Sequence, residues 1–299
     1  MLVRAAALGL AACSIAAGCG GSSSAKEEPD PSTLEALWRA PGEDVAVTPA
    51  STDFGPGPVR FPFLIIDGQG RVVARPTARI WVARGLKERP FARTTARSEE
   101  IGVEGSDPAD AAEIFVAHLQ LPKAGKYWLL AEPVGGRKVQ AVGTVEVKKR
   151  TAAPDVGDAA PASETPTLAT ATLDELSTSR VPDPELHRSS VAAALADRAP
   201  FVLVFATPKY CTSRTCGPVV DVVSTIRREH VGSDLRFIHV EIYQDNDPAK
   251  GANRWVTEWN LPSEPWVFVV GPDGKVRDRF EGTVSVRELE ASVRKHLSA

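Results

Sequence analysis

Residues 201–218 read FVLVFATPKYCTSRTCGP, and this stretch decides the predicted architecture of the C-terminal half of the chain. Its first five residues, 201–205, are apolar without interruption, which is typical of a strand buried on both faces. Two cysteines follow, Cys211 and Cys216, separated by four residues. Pro218 then opens a pattern with apolar residues on one side of a helix, and proline is tolerated in a first helical turn. The stretch therefore predicts a buried strand that leads to a cysteine pair beside a helix start.

The flanking sequence alternates between helices and strands. Helices are predicted over residues 189–197, 218–230, 253–259 and 285–297, and strands over 201–205, 235–242, 266–270 and 276–281. A Pro-Asp-Gly-Lys turn at 272–275 separates the last two strands. This order implies a mixed sheet flanked by helices, which is an α/β architecture.

Over residues 189–297 the sequence resembles the thioredoxin-like superfamily. In that family an apolar strand leads into a cysteine motif at a helix N-terminus, and a cis-proline ahead of a later strand faces the motif. Cys211 and Cys216 match the motif, and Pro265, directly before an apolar run, matches the cis-proline. The resemblance implies an α/β thioredoxin-like domain that performs thiol–disulfide exchange. Cys211 is the candidate nucleophile, Cys216 the candidate resolving thiol, and Pro265 the third candidate catalytic-site residue.

Two features depart from the family's pattern. The family's cysteines are usually separated by two residues, and residues five apart on a regular helix point about 140° away from each other. If the helix starts near Gly217, as Pro218 favours, both cysteines lie in the preceding loop and can form a disulfide. If it starts nearer Cys211, a bridge needs a distorted first turn. The second departure is Val204, which occupies the position of the buried aspartate that accepts a proton in thioredoxins.

Three chemistries stay open for the cysteine pair. One is reversible exchange, in which Lys209 and Arg214 would help to stabilise a thiolate. The second is a static bridge, which is common in secreted proteins. The third is metal binding, since a copper-carrying thioredoxin-like branch also spaces its cysteines widely. That branch adds a downstream histidine ligand, however, and neither His230 nor His239 lies in a matching motif; His239 is predicted to be a packed strand residue. A zinc site lacks ligands, and we predict no metal and no cofactor.

The chain begins with a segment typical of a secretory signal peptide. Residues 1–18 are apolar apart from Arg4 and Ser14, and the run is shorter than the about 20 apolar residues that span a bilayer. The segment ends in AAGC, which resembles a bacterial lipobox and makes Cys19 the candidate lipidation site. Cys13, in a second such match, is the alternative, and a cleaved signal without lipid is the third possibility. Residues 19–45, in which Gly and Ser follow Cys19, are predicted to be a flexible tether.

Residues 46–150 read as short strands separated by turns. Strands are predicted over 61–66, 71–74, 79–84, 115–121, 126–130 and 139–147, which is typical of an antiparallel β-sandwich. The run LQLPKAGKY, residues 119–127, resembles the strand-turn-strand corner of immunoglobulin-like domains. In that corner the tyrosine, here Tyr127, bonds to the preceding backbone; the alternative is a half-buried strand aromatic. No cysteine pair or catalytic cluster is visible, so this immunoglobulin-like β-sandwich is predicted to be a spacer or a binding module.

Composition limits the remaining possibilities. The 299 residues are 43% hydrophobic and 24% charged with a net charge of -3, which excludes general disorder and argues against nucleic acid as a partner. Residues 151–172, rich in Pro and Ala, are predicted to be an extended, poorly packing linker. It would join the sandwich to the thioredoxin-like domain at 173–299.

Together these features predict an extracytoplasmic lipoprotein, anchored to the cell membrane by its N-terminal lipid. Its predicted activity is thiol–disulfide oxidoreduction through Cys211 and Cys216, with protein thiols or disulfides as substrates. The alternative is a non-catalytic envelope lipoprotein in which the two cysteines form a structural disulfide and the domains bind an envelope protein partner.

Overall fold

A computed structural model describes residues 29–104, 112–135, 139–211 and 213–297 of the chain. The predicted signal peptide, Cys13 and Cys19 lie outside the described residues, so the lipid anchor stays a prediction. Within the described ranges, no helix combines the length and the apolar character needed to cross a membrane.

The N-terminal half forms one closed sheet. A short helix, α1 (Leu34–Trp38), precedes the strands β1 (Glu43–Pro49), β2 (Gly57–Ile66), β3 (Thr77–Ala83), β4 (Ala92–Glu100), β5 (Glu113–Leu121), β6 (Gly125–Pro133) and β7 (Val139–Val147). They pair in the order β1-β2-β5-β4-β3-β6-β7, and β7 returns to β1. The result is a seven-stranded barrel in which every pair is antiparallel except β1 with β7.

This closure shows that the predicted immunoglobulin-like β-sandwich is wrong. A sandwich has two sheets with free edges, whereas here β1 pairs with both β2 and β7 and joins the ends of one sheet. Two strands have no clear sequence pattern and were not predicted: β1, in which charged residues and a proline surround the valines, and β4 (ARTTARSEE), which has no large apolar residue. The predicted strand at 71–74 makes only one isolated bridge, between Ile66 and Val72.

Aromatic side chains fill the barrel. The rings of Phe61 and Phe63 stack at 5.2 Å, and Phe115 stacks on Phe63 at 5.4 Å. Tyr127 is buried; its hydroxyl donates to the carbonyl oxygen of Lys123 at 2.7 Å and accepts from the Lys123 N–H at 3.1 Å. The backbone contact that the corner motif predicted is therefore present, although the domain around it is a barrel.

The C-terminal half contains a smaller sheet and most of the helices. In chain order the elements are α2 (Leu173–Leu176), α3 (Val191–Ala196), β8 (Phe201–Phe205), α4 (Cys216–Glu229), β9 (Arg236–Val240), α5 (Arg254–Glu258), β10 (Trp266–Val270), β11 (Val276–Glu281) and α6 (Val286–His296). The strands lie in the order β11-β10-β8-β9. β8 and β9 are parallel, and the other pairs are antiparallel.

The predicted thioredoxin-like α/β fold is also wrong. More of the described residues lie in strands than in helices, the strands form the closed barrel and the four-stranded sheet, and only α4 and α6 exceed six residues. The helices α3 and α5 have six and five residues, so each makes less than two turns and cannot form a continuous layer. Residues outside regular secondary structure also cover the face of the sheet on which α3 and α5 lie. Among them, Ala153 and Ala160 pack into the aromatic cluster around Trp259 and Phe268.

Local elements of this half were nevertheless predicted correctly. β8, β10 and β11 occupy the predicted positions, and their apolar residues form the two sides of the sheet core. The error lay in the family resemblance and in the layer architecture, which depend on how the elements assemble.

The segment 151–172 is packed, contrary to the prediction of a poorly packing linker. Ser163 donates a hydrogen bond to the carboxylate of Glu258 at 2.5 Å and accepts one from the indole N–H of Trp259 at 3.2 Å. The backbone N–H of Gly157 donates to the carbonyl oxygen of Val276 on β11 at 2.9 Å. The segment therefore lies against the smaller sheet, while the division of the chain into domains at this point stays a prediction.

Polar contacts join the barrel to the smaller sheet. The carboxylate of Glu281, at the end of β11, accepts from the backbone N–H groups of Thr52 and Asp53 at 2.9 and 2.7 Å. Arg60 on β2 forms an ion pair with Glu288 on α6 at 2.7 Å, and both side chains are largely buried. Breaking one partner of such a buried contact leaves an unsatisfied group that costs about 1–3 kcal/mol, so these contacts hold the two regions together.

Candidate functional site

The cysteine pair lies between β8 and α4. Helix α4 begins at Cys216, one residue before the start near Gly217 that Pro218 favoured, and Cys211 lies in the preceding loop. Pro218 is the third residue of α4, inside the first turn, where its missing N–H removes no hydrogen bond within the helix. The cysteines are therefore not both on a regular helix, and the angular objection to their meeting does not apply.

Both cysteines are free thiols with different environments. Cys211 is partly exposed and Cys216 is buried. The backbone N–H of Cys216 donates to the Cys211 sulfur at 3.3 Å, and the hydroxyl of Ser213 lies 3.2 Å from the same sulfur. Ser213 also contacts the hydroxyl of Thr215 at 2.7 Å. The Cys211 sulfur is thus contacted by a hydroxyl from the loop and by a backbone N–H from the first residue of α4.

These contacts give the two thiols opposite acidities. Hydrogen bonds lower the pKa of Cys211 to about 5 against the opposing effect of burial; the largest contribution comes from the Cys216 thiol, and smaller ones come from the Ser213 hydroxyl and the backbone N–H groups of Thr215 and Cys216. The pKa of Cys216 is raised, because its proton is held in the hydrogen bond to Cys211 and because it is buried. At neutral pH the arrangement is a thiolate at Cys211 with a protonated thiol behind it.

The third candidate residue, Pro265, is brought to the same place. The Glu264–Pro265 peptide bond is cis, and Pro265 directly precedes β10. In the sheet, Trp266 pairs with Phe205, so the start of β10 lies beside the end of β8 from which the cysteine loop departs. The structure therefore brings together all three residues that the sequence analysis selected as catalytic candidates.

Glu264 is a site residue that the sequence analysis missed. Its carboxylate and the two cysteine sulfurs all lie within 4.8 Å of one another. One carboxylate oxygen, Oε2, is buried and has no hydrogen-bond partner in the described structure. The only signal in the sequence was an acidic residue directly before a proline and an apolar strand, and its importance depends on the pairing of β10 with β8.

Glu264 is in an environment that favours its protonated form. Burial, the negative charge of Cys211 and the carboxylate of Glu241 raise its pKa to about 7, partly offset by a hydrogen bond from Tyr243. The pKa of Tyr243 is raised in turn by burial and by the charge of Glu264. A carboxyl group that changes charge near neutral pH therefore lies beside the thiol pair.

Further buried polar groups lie near the pair. The Thr207 hydroxyl and Glu241 Oε2 are buried without a partner among the described residues. The rings of His187 and His239 lie 5.2 Å apart, and burial followed by the proximity of His239 lowers the pKa of His187 to about 3. His239 is buried on β9 and its Nε2 lies 3.0 Å from the Ala206 carbonyl oxygen, which confirms it as a packed strand residue.

One group of side chains in the described ranges could hold a metal. Cys211, Cys216 and Glu264 offer two sulfurs and one oxygen. A structural zinc site takes four protein ligands. Neither sequence histidine completes the set, since His230 bonds to Glu290 at 3.1 Å and His239 faces Ala206. The arrangement suits sulfur chemistry between two thiols better than a closed metal site.

No known protein-family model matches the chain, and no curated protein matches it at a significant level. The resemblance noted over residues 189–297 thus receives no support from these comparisons. What the site can do is decided by its own geometry.

Proposed function

We propose that the protein is a thiol–disulfide oxidoreductase that acts through Cys211 and Cys216. One observation carries the proposal: a partly exposed Cys211 with a pKa of about 5 lies in hydrogen-bonding contact with a buried Cys216 of raised pKa. The thiolate is the nucleophilic form of cysteine, so such a pair separates an attacking sulfur from a reserve thiol. A bridge with a purely structural role has no need of this asymmetry.

The reaction follows from the positions of the two sulfurs. The Cys211 thiolate attacks one sulfur of a substrate disulfide, forms a mixed disulfide and releases the other substrate sulfur as a thiolate. Cys216 then attacks the Cys211 sulfur, and the second substrate thiolate leaves. The substrate gains two electrons, the cysteine pair becomes a disulfide, and an external dithiol returns it to the reduced state. The relative potentials of protein and substrate decide the direction.

The substrates that fit are exposed disulfides or thiols of other proteins. Cys211 is partly exposed, and the neighbouring Ser213 lies on the surface. A buried disulfide would not reach this loop. Small disulfides share the chemistry and serve as convenient probes.

We further propose that the protein acts outside the cytoplasm, tethered to the membrane by a lipid on Cys19. The support is the AAGC sequence at the end of an apolar N-terminal segment, followed by Gly and Ser. Mass spectrometry of the protein from bacterial membranes should find acyl chains on Cys19, and Cys19→Ser should release the protein from the membrane. An unmodified Cys19 would rule out this anchor.

The activity is tested by reduction of insulin with dithiothreitol as electron donor. We expect the wild type to accelerate the reaction, Cys211→Ser to lose the acceleration, and Cys216→Ser to accumulate a mixed disulfide. Absence of turnover, together with a Cys211–Cys216 bridge that glutathione does not reduce, would favour the non-catalytic lipoprotein with a structural disulfide.

A further inference from the structure

We infer that Glu264 is the proton acceptor for Cys216 in the resolving step. This inference rests on the proposed exchange function and assigns the group that makes its second half possible. Cys216 must lose its proton before it can attack the Cys211 sulfur, because the thiolate is the nucleophile. A buried thiol has little access to water, so a base inside the protein has to take that proton.

The geometry selects Glu264 for this task. Its carboxylate lies within 4.8 Å of both sulfurs, a separation that a small side-chain rotation or one intervening water bridges. Its Oε2 is buried and has no hydrogen-bond partner in the described structure, so the oxygen is free to accept. Val204, on the neighbouring strand β8, offers no proton acceptor. The carboxylate that β8 lacks is thus supplied two residues before the start of the adjacent strand β10.

The negative charge around Glu264 decreases during the reaction, which favours the ionised form of Glu264. The groups around it are the Cys211 thiolate, Glu241 and Tyr243. In the reduced protein, burial and these negative charges raise the pKa of Glu264 to about 7. In the mixed disulfide Cys211 has no charge, so its repulsion is absent and the pKa of Glu264 falls. Glu264 is therefore more fully ionised in the intermediate that needs a base.

The step balances as follows. The Cys216 proton passes to Glu264 Oε2, and the Cys216 sulfur forms a bond to the Cys211 sulfur. The bond between Cys211 and the substrate sulfur breaks, and its electron pair leaves with the substrate thiolate. That thiolate or solvent then takes the proton from Glu264. The oxidant is the substrate disulfide itself, so no further reagent is required.

A stopped-flow experiment separates the two halves of the reaction. The full chain carries Cys13→Ser and Cys19→Ser, so that Cys211 and Cys216 are its only cysteines. The reduced protein is mixed with dithiobis-nitrobenzoate and a chelator, and release of coloured thiol is followed. The first release reports attack by Cys211 and the second reports resolution by Cys216.

We expect Glu264→Gln to slow the second release by about a hundredfold or more, since a general base contributes about 10²–10⁴-fold, and to leave the first within about twofold. Glu264→Asp keeps the carboxylate and should recover part of the rate. In the wild type the second release should slow as pH falls through the ionisation of Glu264. In Glu264→Gln this midpoint should be lost, and the slow rate should instead keep rising with pH, because Cys216 must then lose its proton to solvent. Glu132→Gln, a carboxylate paired with Arg79 in the barrel, should match the wild type.

Equal second-release rates and equal pH profiles in Glu264→Gln and wild type would overturn the assignment. If Glu264→Gln does not fold, the assignment is tested with the wild type and Glu264→Asp. A second release whose rate is independent of pH between about 5 and 8 in both proteins would then overturn the assignment. Failure of the proposed function looks different. In that case the wild type releases no second thiol, or Cys216→Ser behaves like the wild type whatever residue stands at 264.

Discussion

The barrel and the smaller sheet are both densely packed, but they differ in how their buried polar groups are satisfied. Among the described residues, eleven buried side-chain nitrogen or oxygen atoms have no partner, and eight of them belong to residues 187–283. The other three belong to Trp38, Arg79 and Gln140, in or beside the barrel. Each such atom costs about 1–3 kcal/mol, so a concentration of them calls for an explanation beyond packing.

The contrast is clearest between two buried residues. Tyr127 in the barrel both donates to and accepts from the backbone of Lys123, and its hydroxyl is fully used. Glu264 beside the thiols keeps one buried oxygen without a partner. The Tyr127 hydroxyl therefore stabilises the barrel. The polar groups at the end of β8 and the start of β10 are instead available to bind a proton or a substrate.

The largest effect should come from Cys211→Ser. Replacing the attacking sulfur should reduce insulin-reduction activity to the uncatalysed background while the thermal unfolding midpoint stays close to that of the wild type, since the side chain is partly exposed. Enzyme assays and calorimetry on the same sample check both parts. Residual activity above background would show that Cys211 is not the nucleophile.

The next largest effect should be on stability alone. Phe63 is buried in the barrel between the rings of Phe61 and Phe115. Phe63→Ala should therefore lower the free energy of unfolding by about 3–5 kcal/mol in denaturant titrations. The folded variant should keep the wild-type rate of Cys211 alkylation. A changed alkylation rate would mean that the barrel shapes the thiol site, contrary to the division proposed here.

A smaller effect should appear in the pH dependence of Cys211 alkylation by iodoacetamide. The thiolate reacts, so the wild-type rate should be constant above a midpoint of about pH 5 and fall as pH decreases through it. Cys216→Ala removes the main hydrogen bond to the thiolate. Such bonds contribute about 1.5–3 kcal/mol, so the midpoint should rise by about one to two pH units. Cys216→Ser keeps a donor and is the matched control; an unchanged midpoint in Cys216→Ala would refute this cause.

The smallest shift should come from Ser213→Ala. The Ser213 hydroxyl contacts the Cys211 sulfur at 3.2 Å from an exposed position, where water can replace it. We expect the alkylation midpoint to rise by less than about one pH unit. If the midpoint rises more in Ser213→Ala than in Cys216→Ala, then the Ser213 hydroxyl stabilises the thiolate more strongly than Cys216 does, contrary to this prediction.

Sequence patterns predicted the elements better than their assembly. The continuous apolar runs Phe201–Phe205 and Trp266–Val270 predicted two strands, and both strands have these bounds in the structure. A strand buried on both faces needs consecutive apolar residues, so a short stretch of sequence is enough to predict it. The barrel was not predictable in this way. Its closure depends on Glu43–Pro49 meeting Val139–Val147, two segments far apart in the chain, and the first of them is only weakly apolar.

The site shows the same limit. The proximity of Cys211 and Cys216 could be expected from their spacing and from Pro218, which keeps Cys211 out of a regular helix. The position of Glu264 beside the thiols could not be predicted, because no reactive residue is next to it in the chain. It reaches the thiols only through the pairing of Trp266 with Phe205, which is a property of the sheet.

The reduction potential of the Cys211–Cys216 pair, measured in glutathione redox buffers with the thiols trapped by alkylation, distinguishes a working redox couple from a structural disulfide. A working couple should equilibrate with glutathione and give a potential above about -300 mV. A bridge that stays oxidised throughout these buffers, with a potential well below that value, would contradict the account and make the pair a structural disulfide.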